Sequence, residues 1–190
     1  MGSALAQELL GRGYAVRILD RLYFGDQGLT GIRDRVELTI GDMRTVSPAI
    51  LEDVEAVINV GGISNDPTAE FNPKANYEMN TTASVALARL SRDQGVHRYI
   101  YASSCSIYDR GVADESRDVL LDETADVDPP GAYAGSKLAA QRELMDLASA
   151  RFTVGALRTA PLSGFSPRFQ HAPAGAPSFK DPFSKGPLPP

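Results

Sequence analysis

The chain has no tryptophan, one cysteine and two histidines among its 190 residues. A single cysteine, Cys105, excludes an internal disulfide and points to a reducing compartment, read here as the cytoplasm. Cysteine, histidine and carboxylates show no metal-ligand spacing, so no metal is expected. His97 reads as a strand-start residue and His171 as part of a tail. Cys105 has no histidine in a matching motif, so it reads as a small buried residue and not as a nucleophile. No run of about 18 apolar residues occurs, and no transmembrane helix is expected. The opening MGSALAQELLGRG lacks a basic stretch followed by an apolar one, and does not read as a signal peptide. Positive charge is also scarce. Nineteen Lys and Arg stand against 24 Asp and Glu, for a net charge of -5 and a pI near 5.0. That balance argues against nucleic acid or an anionic membrane as the main partner. Internal repeats and heptads are absent.

What is present is a regular alternation. Apolar residues make up 43% of the chain, enough for the core of one domain. SALAQELLGRG carries Leu5, Leu9 and Leu10 on a helical period and stops at Gly11 and Gly13. YAVRILD and RVELTI read as strands, SPAILEDV as a short helix and VEAVINV as an apolar buried strand. SNDPTAEFNP reads as a polar loop. A long helix is predicted from about Ala75 to Gln94, stopped by Gly95. HRYIYASS is a further strand, then comes a loop, then a helix opening at Tyr133, then the strand TVGALR. Strands alternating with helices predict an α/β fold, a parallel sheet with helices on both faces. HAPAGAPSFKDPFSKGPLPP is rich in Pro, Gly and Ala without periodicity, an irregular tail.

The stretch YAGSK, Tyr133 to Lys137, opens the amphipathic run AYAGSKLAAQRELMDLAS. On a helix, i and i+4 share a face. The Tyr133 hydroxyl and the Lys137 ammonium therefore address the same small molecule. A lysine beside a phenol favours the phenolate, and that makes a general base. The plainer alternative is two polar residues on a solvated face.

In a parallel α/β sheet, ligands sit at the carboxyl ends of the strands. Asp20 ends the first of these strands. It is either an acceptor for both adenosine ribose hydroxyls, repelling a 2′-phosphate, or a turn aspartate. Arg21 beside it weakens the exclusion of NADP. Asp42 ends the second, as an acceptor for an adenine amine or as a turn residue. Gly61 and Gly62 follow the third, for close backbone approach to a flat cofactor or as a simple turn. Ser103, Ser104, Cys105 and Ser106 follow the fourth. One of them would donate to a substrate oxygen.

RILDRLYFG, GDMR, NVGGISNDP, NYEMN, YASSCSIYD and YAGSK occur in that order. Together they resemble the extended short-chain dehydrogenase/reductase family, the NAD-dependent epimerases and dehydratases of sugar nucleotides. The likeness covers residues 2–168, with 169–190 as the tail. It implies a Rossmann-like doubly wound parallel sheet in a three-layer αβα arrangement. It implies Tyr133 as catalytic acid/base, Lys137 as the residue that holds the nicotinamide ribose and depresses the Tyr133 pKa, and Ser104 as hydroxyl donor through S-x-x-x-Y spacing to Tyr108. Asn80 matches the family's asparagine on the long helix. Gly2, Asp20, Asp42, Gly61, Gly62, Asn80 and Lys137 are the implied cofactor-binding residues. The implied cofactor is NAD, with NADP less favoured, the substrate is a nucleotide-sugar, and a homodimer is a family expectation.

Three departures qualify that implication. The family's first strand and G-x-x-G-x-x-G loop precede the first helix, and only the last glycine is present, as Gly2. The expectation is an N-terminally incomplete sheet, unpaired on both sides of a gap, with apolar edges exposed. Most of the C-terminal substrate region is likewise expected to be missing, and TAPLSG lacks the aromatic and asparagine residues common after the last strand. Cys105 and Ser106 stand where the 4,6-dehydratases carry Asp-Glu, leaving epimerase or dehydrogenase chemistry. The alternative is a non-catalytic Rossmann-like protein that keeps the fold without turnover.

Overall fold

Helix α1 (Gly2–Gly11) ends where Gly13 turns to a φ of 86°, a left-handed conformation open to glycine. Its buried residues Ala6 and Leu10 pack with Leu29, Ile32 and Val36. The computed structural model describes residues 1–64, 66–108 and 121–160. The tail 169–190, most of the turn after the last strand and part of the loop before Tyr133 lie outside them.

Five parallel strands follow the alternation in the sequence. β1 (Val16–Asp20) pairs with β2 (Val36–Ile40), in register Val16 with Val36. β3 (Ala56–Asn59), β4 (Arg98–Ala102) and β5 (Thr153–Leu157) form a second parallel group in the order β3-β4-β5. Among the described residues no strand joins β1 to β3, so each has one unpaired edge. The exposure at this break is plain, with Ile58 of β3 37% exposed in what would be a sheet centre. One side chain bridges the groups at their N-terminal ends. Arg17 of β1 donates from Nη1 to the carbonyls of Ile50 (2.7 Å) and Glu52 (2.9 Å), just before β3.

The main core lies on one face of β3-β4-β5. Tyr99 and Tyr101 of β4 are fully buried there, with Val85, Leu87 and Ala88 of α4 (Ala83–Asp93) and Ala140 and Leu144 of α5 (Ala132–Met145). Ile58, Ile100 and Gly155 share the opposite face by register. Helices on both faces were the expectation, but α4 and α5 share one face of this group. The apolar side of α1 is committed to β1 and β2. That leaves Leu157 on the other face 56% exposed.

Three local readings are corrected. The polar loop after β3 contains α2 (Asp66–Phe71), since proline in a first helical turn costs no hydrogen bond. The long helix starts earlier, in α3 (Pro73–Tyr77), capped by Asn72, whose side chain accepts from the Ala75 N–H at 3.0 Å. It then passes through a π-helical turn (Glu78–Thr82) before α4. SPAILEDV forms one 3-10 turn, Pro48–Leu51.

Candidate active site

The α5 N-terminus brings two of the expected residues together. Tyr133 is half-buried, and Lys137, one turn on, is 5% exposed. The Lys137 ammonium donates to the Ala102 carbonyl at the end of β4 (2.9 Å). It sits 4.8 Å from the Tyr101 ring centroid and 5.9 Å from that of Tyr133. Burial pulls its pKa down to about 8.

Gly62 faces the same ammonium. Its φ is 140°, and a Cβ there would lie 3.7 Å from Lys137 Nζ and 2.4 Å from Asn80 Oδ1. A side chain does not fit, so the glycine is required both by conformation and by space. Gly61 donates its N–H to Asn59 Oδ1 (3.0 Å). Gly2 lies beside β3: a Cβ would sit 3.6 Å from Val60 Cγ2, an ordinary contact, so sterics do not demand glycine there.

Asn80 differs from its expected place among cofactor contacts. It is fully buried. Its Oδ1 accepts from the Ile63 N–H (2.8 Å), and its Nδ2 shares two hydrogens among Ile63 O (2.9 Å), Asn76 Oδ1 (2.8 Å) and Ser136 Oγ (3.1 Å). It has no surface for a ligand. It is a strut between the Gly62–Ile63 backbone and α5.

Asp20 and Asp42 mark the far end of the strand tips. The Asp20 side chain accepts from the Leu22 N–H (2.7 Å) through Oδ1, while Oδ2 has no partner among the described residues. Asp42 is already engaged. Arg44 (2.7 Å) and Arg21 (2.9 Å) both reach its Oδ2, and Arg44 also meets Glu78. The hydrogen bond from Arg44 is the chief reason its carboxyl is held down at about pH 2. An adenine amine would compete with two guanidinium groups for this carboxylate.

Ser104 is buried, and its hydroxyl shares a hydrogen bond with that of Ser106 (2.8 Å). Among the described residues neither reaches the Tyr133 hydroxyl. Ser103 turns away, donating to Gln141 Oε1 on α5 (2.9 Å). Beyond it, Arg158 donates to the Tyr108 hydroxyl and to the Glu123 carbonyl, tying β5 to the 3-10 turn Cys105–Tyr108. Sequence reasoning missed Ser106 as Ser104's partner, and missed Glu70 and Asn76, which meet the start of α5. Asn76 and Ser106 lie within NYEMN and YASSCSIYD, but neither stretch marks these contacts, and Glu70 lies in no motif; only chain folding brings them near.

These residues gather at the carboxyl ends of parallel strands, and the sequence relationships agree with that placement. The chain matches the profile of the NAD dependent epimerase/dehydratase family over residues 1–178. It is 32% identical, over 117 residues, to a Klebsiella pneumoniae protein described as UDP-glucose 4-epimerase, covering 57% of this chain and 84% of that one. Among solved structures, MoeE5 in complex with UDP-glucose and NAD superposes with a TM-score of 0.68 at 26% identity, over 83% of this chain and 50% of that one. The Thermus thermophilus UDP-glucose 4-epimerase, solved with NAD, gives a TM-score of 0.68 at 24% identity over the same shares, a likeness of fold. The chain thus spans about half the length of the solved structures it matches. The parallel α/β framework is Rossmann-like, and with the profile matched along most of its length, the chain belongs to the NAD dependent epimerase/dehydratase family.

Proposed function

We propose that the chain acts as an NAD-dependent epimerase or dehydrogenase on a nucleotide-sugar, with Tyr133 as acid/base. The observation that carries this reading is the buried Lys137 ammonium, held by Ala102 O between the Tyr133 ring and Gly62. The fit to a dinucleotide is supported at both ends. Gly62 leaves an open backbone beside Lys137, where a nicotinamide ribose would be held, and Asp20 offers an adenosine ribose a carboxylate oxygen that has no partner among the described residues. Arg21 and Arg44 spend their charge on Asp42, which favours NAD over NADP. When bound, NAD supplies a hydride acceptor and donor. The Tyr133 phenolate would take the proton of a sugar hydroxyl as the carbon beside it is oxidised, and return it on reduction. Ser104 or Ser106 would steady the substrate oxygen. A cytoplasmic location and a homodimer complete the reading.

The second reading is a Rossmann-like protein without turnover. The open edges of β1 and β3 favour it, because a dinucleotide would cross the strand tips at that break.

Calorimetry with NAD and NADP side by side, followed by a nucleotide-sugar turnover assay, decides between them. The expected result is NAD binding on the order of micromolar, with NADP weaker. In wild-type chain that turns over a nucleotide-sugar, Tyr133→Phe should lower kcat by about 10²–10⁴-fold with NAD affinity unchanged. No NAD binding by a folded chain overturns the catalytic reading.

A further inference from the structure

Ala132, the residue directly before Tyr133, is held through its N–H and its carbonyl by two other helices. Gly131, the N-cap of α5, contributes no side chain, so the first N–H groups of the helix lack a local cap. Glu70, at the end of α2, fills that role from 62 residues away. Its Oε1 accepts from the Ala132 N–H at 2.7 Å. A negative charge is favourable at this end of a helix. Gly131 makes the approach possible, since a Cβ there would lie 2.8 Å from Glu70 Oε1. On the other side, Asn76 of α3 donates from Nδ2 to the Ala132 carbonyl at 2.8 Å. Asn76 is 1% exposed, and its Oδ1 is fixed in turn by Asn80. Thr81 adds a hydrogen bond to the Ser136 carbonyl (2.9 Å), and Ser136 donates to the Tyr133 carbonyl (2.7 Å).

We infer that Glu70 and Asn76 are positioning residues, a two-sided clamp on Ala132 that fixes the direction of the Tyr133 side chain over the Lys137 site. The inference rests on the catalytic reading for its functional consequence, but the clamp itself can be read without turnover. The Tyr133 backbone joins the clamped Ala132 directly, so rotation of Ala132 swings the phenol relative to an ammonium anchored separately, on Ala102. Neither Glu70 nor Asn76 touches Tyr133's ring in the described contacts. They act through the backbone.

The test is fluorine NMR of the full chain labelled with 3-fluorotyrosine, whose seven tyrosines provide internal controls. The Tyr133 signal is identified by its loss in Tyr133→Phe. Glu70 is exposed, so Glu70→Ala removes the cap without opening the core. In that variant the Tyr133 signal should shift or broaden while those of Tyr99 and Tyr101 stay. Glu70→Gln keeps an acceptor oxygen and should restore the wild-type signal. Asn76→Ala attacks the other side and should move the same signal. An unmoved Tyr133 signal in folded Glu70→Ala overturns the clamp, as does an equal change in Glu70→Gln. Where the wild type turns over, Glu70→Ala should lower kcat about tenfold with KM for NAD unchanged. Absence of turnover and NAD binding in the wild type overturns the catalytic reading alone, and the NMR result still decides the clamp.

Discussion

Lys137 is a buried charge on which stability turns, and on the proposed reading the chemistry as well. Its pKa falls from 10.5 to about 8 through burial. Below pH 8 the folded and unfolded chains both carry the proton, and the folded state bears the full cost of burying the charge. Between about 8 and 10.5 the unfolded chain binds more protons, so stability rises with pH in that window. From pH 7 to 10, wild type should gain about 2 kcal/mol relative to Lys137→Met in urea unfolding. A flat difference between the two would remove the buried-charge account. The same titration bears on the site. The Lys137 cation beside the Tyr133 ring is present below about pH 8 and fades above it.

At the scale of elements, the π-helical turn Glu78–Thr82 and strand β4 define the floor under Lys137. Tyr101 donates from Oη to the Asn80 carbonyl at 3.1 Å, inside that turn. Tyr99 donates to the Ser84 carbonyl (3.0 Å) and accepts from Asn59 Nδ2 (3.0 Å) one turn on. Burial raises the pKa of both phenols, so they stay neutral hydrogen-bond donors throughout the physiological range. Tyr101→Phe keeps the aromatic face beneath Lys137 and removes only the hydroxyl. It leaves the Asn80 carbonyl short of a partner in a fully buried position, at a cost of about 1–3 kcal/mol. Thermal or urea unfolding of this variant measures that cost. No loss would mean that the carbonyl is satisfied within the helix alone.

At the scale of the whole molecule, the described residues form two parallel strand groups that share no ladder; Met43 and Val46 after β2 pack against the core of the second group, and Arg44 meets Glu78. The unpaired edges of β1 and β3 lack the ladder hydrogen bonds that make a sheet one cooperative body. Arg17 compensates in part. Its Nε meets Glu37 on β2 at 2.7 Å, while its Nη1 holds two carbonyls before β3. Arg17→Met should therefore cost about 1–3 kcal/mol and loosen the β1-β2 group from the rest. The expected sign is a shallower or two-step urea transition, with the second step near the wild-type midpoint. A single transition with unchanged slope would show that other contacts unite the groups.

Much of this was legible in the sequence. The five strands, the first helix and the Tyr133 helix follow from apolar period, glycine stops and strand composition, all local properties of the backbone. The nearness of Tyr133 and Lys137 followed from helical geometry alone. The π-helical turn was not legible, because the apolar period does not mark the one extra residue in a helical turn. Nor was the engagement of Asp42 by Arg21 and Arg44, or the burial of Asn80, since both depend on which loops meet. Glu70 carries no motif at all. It becomes relevant because folding places an α2 carboxylate at the bare N-terminus of α5, where an unpaired N–H and a helix dipole await an acceptor. Period and turn chemistry act within a few residues and can be read along the chain. Hydrogen-bond partners at long separation are chosen by packing, and only the tertiary structure decides them.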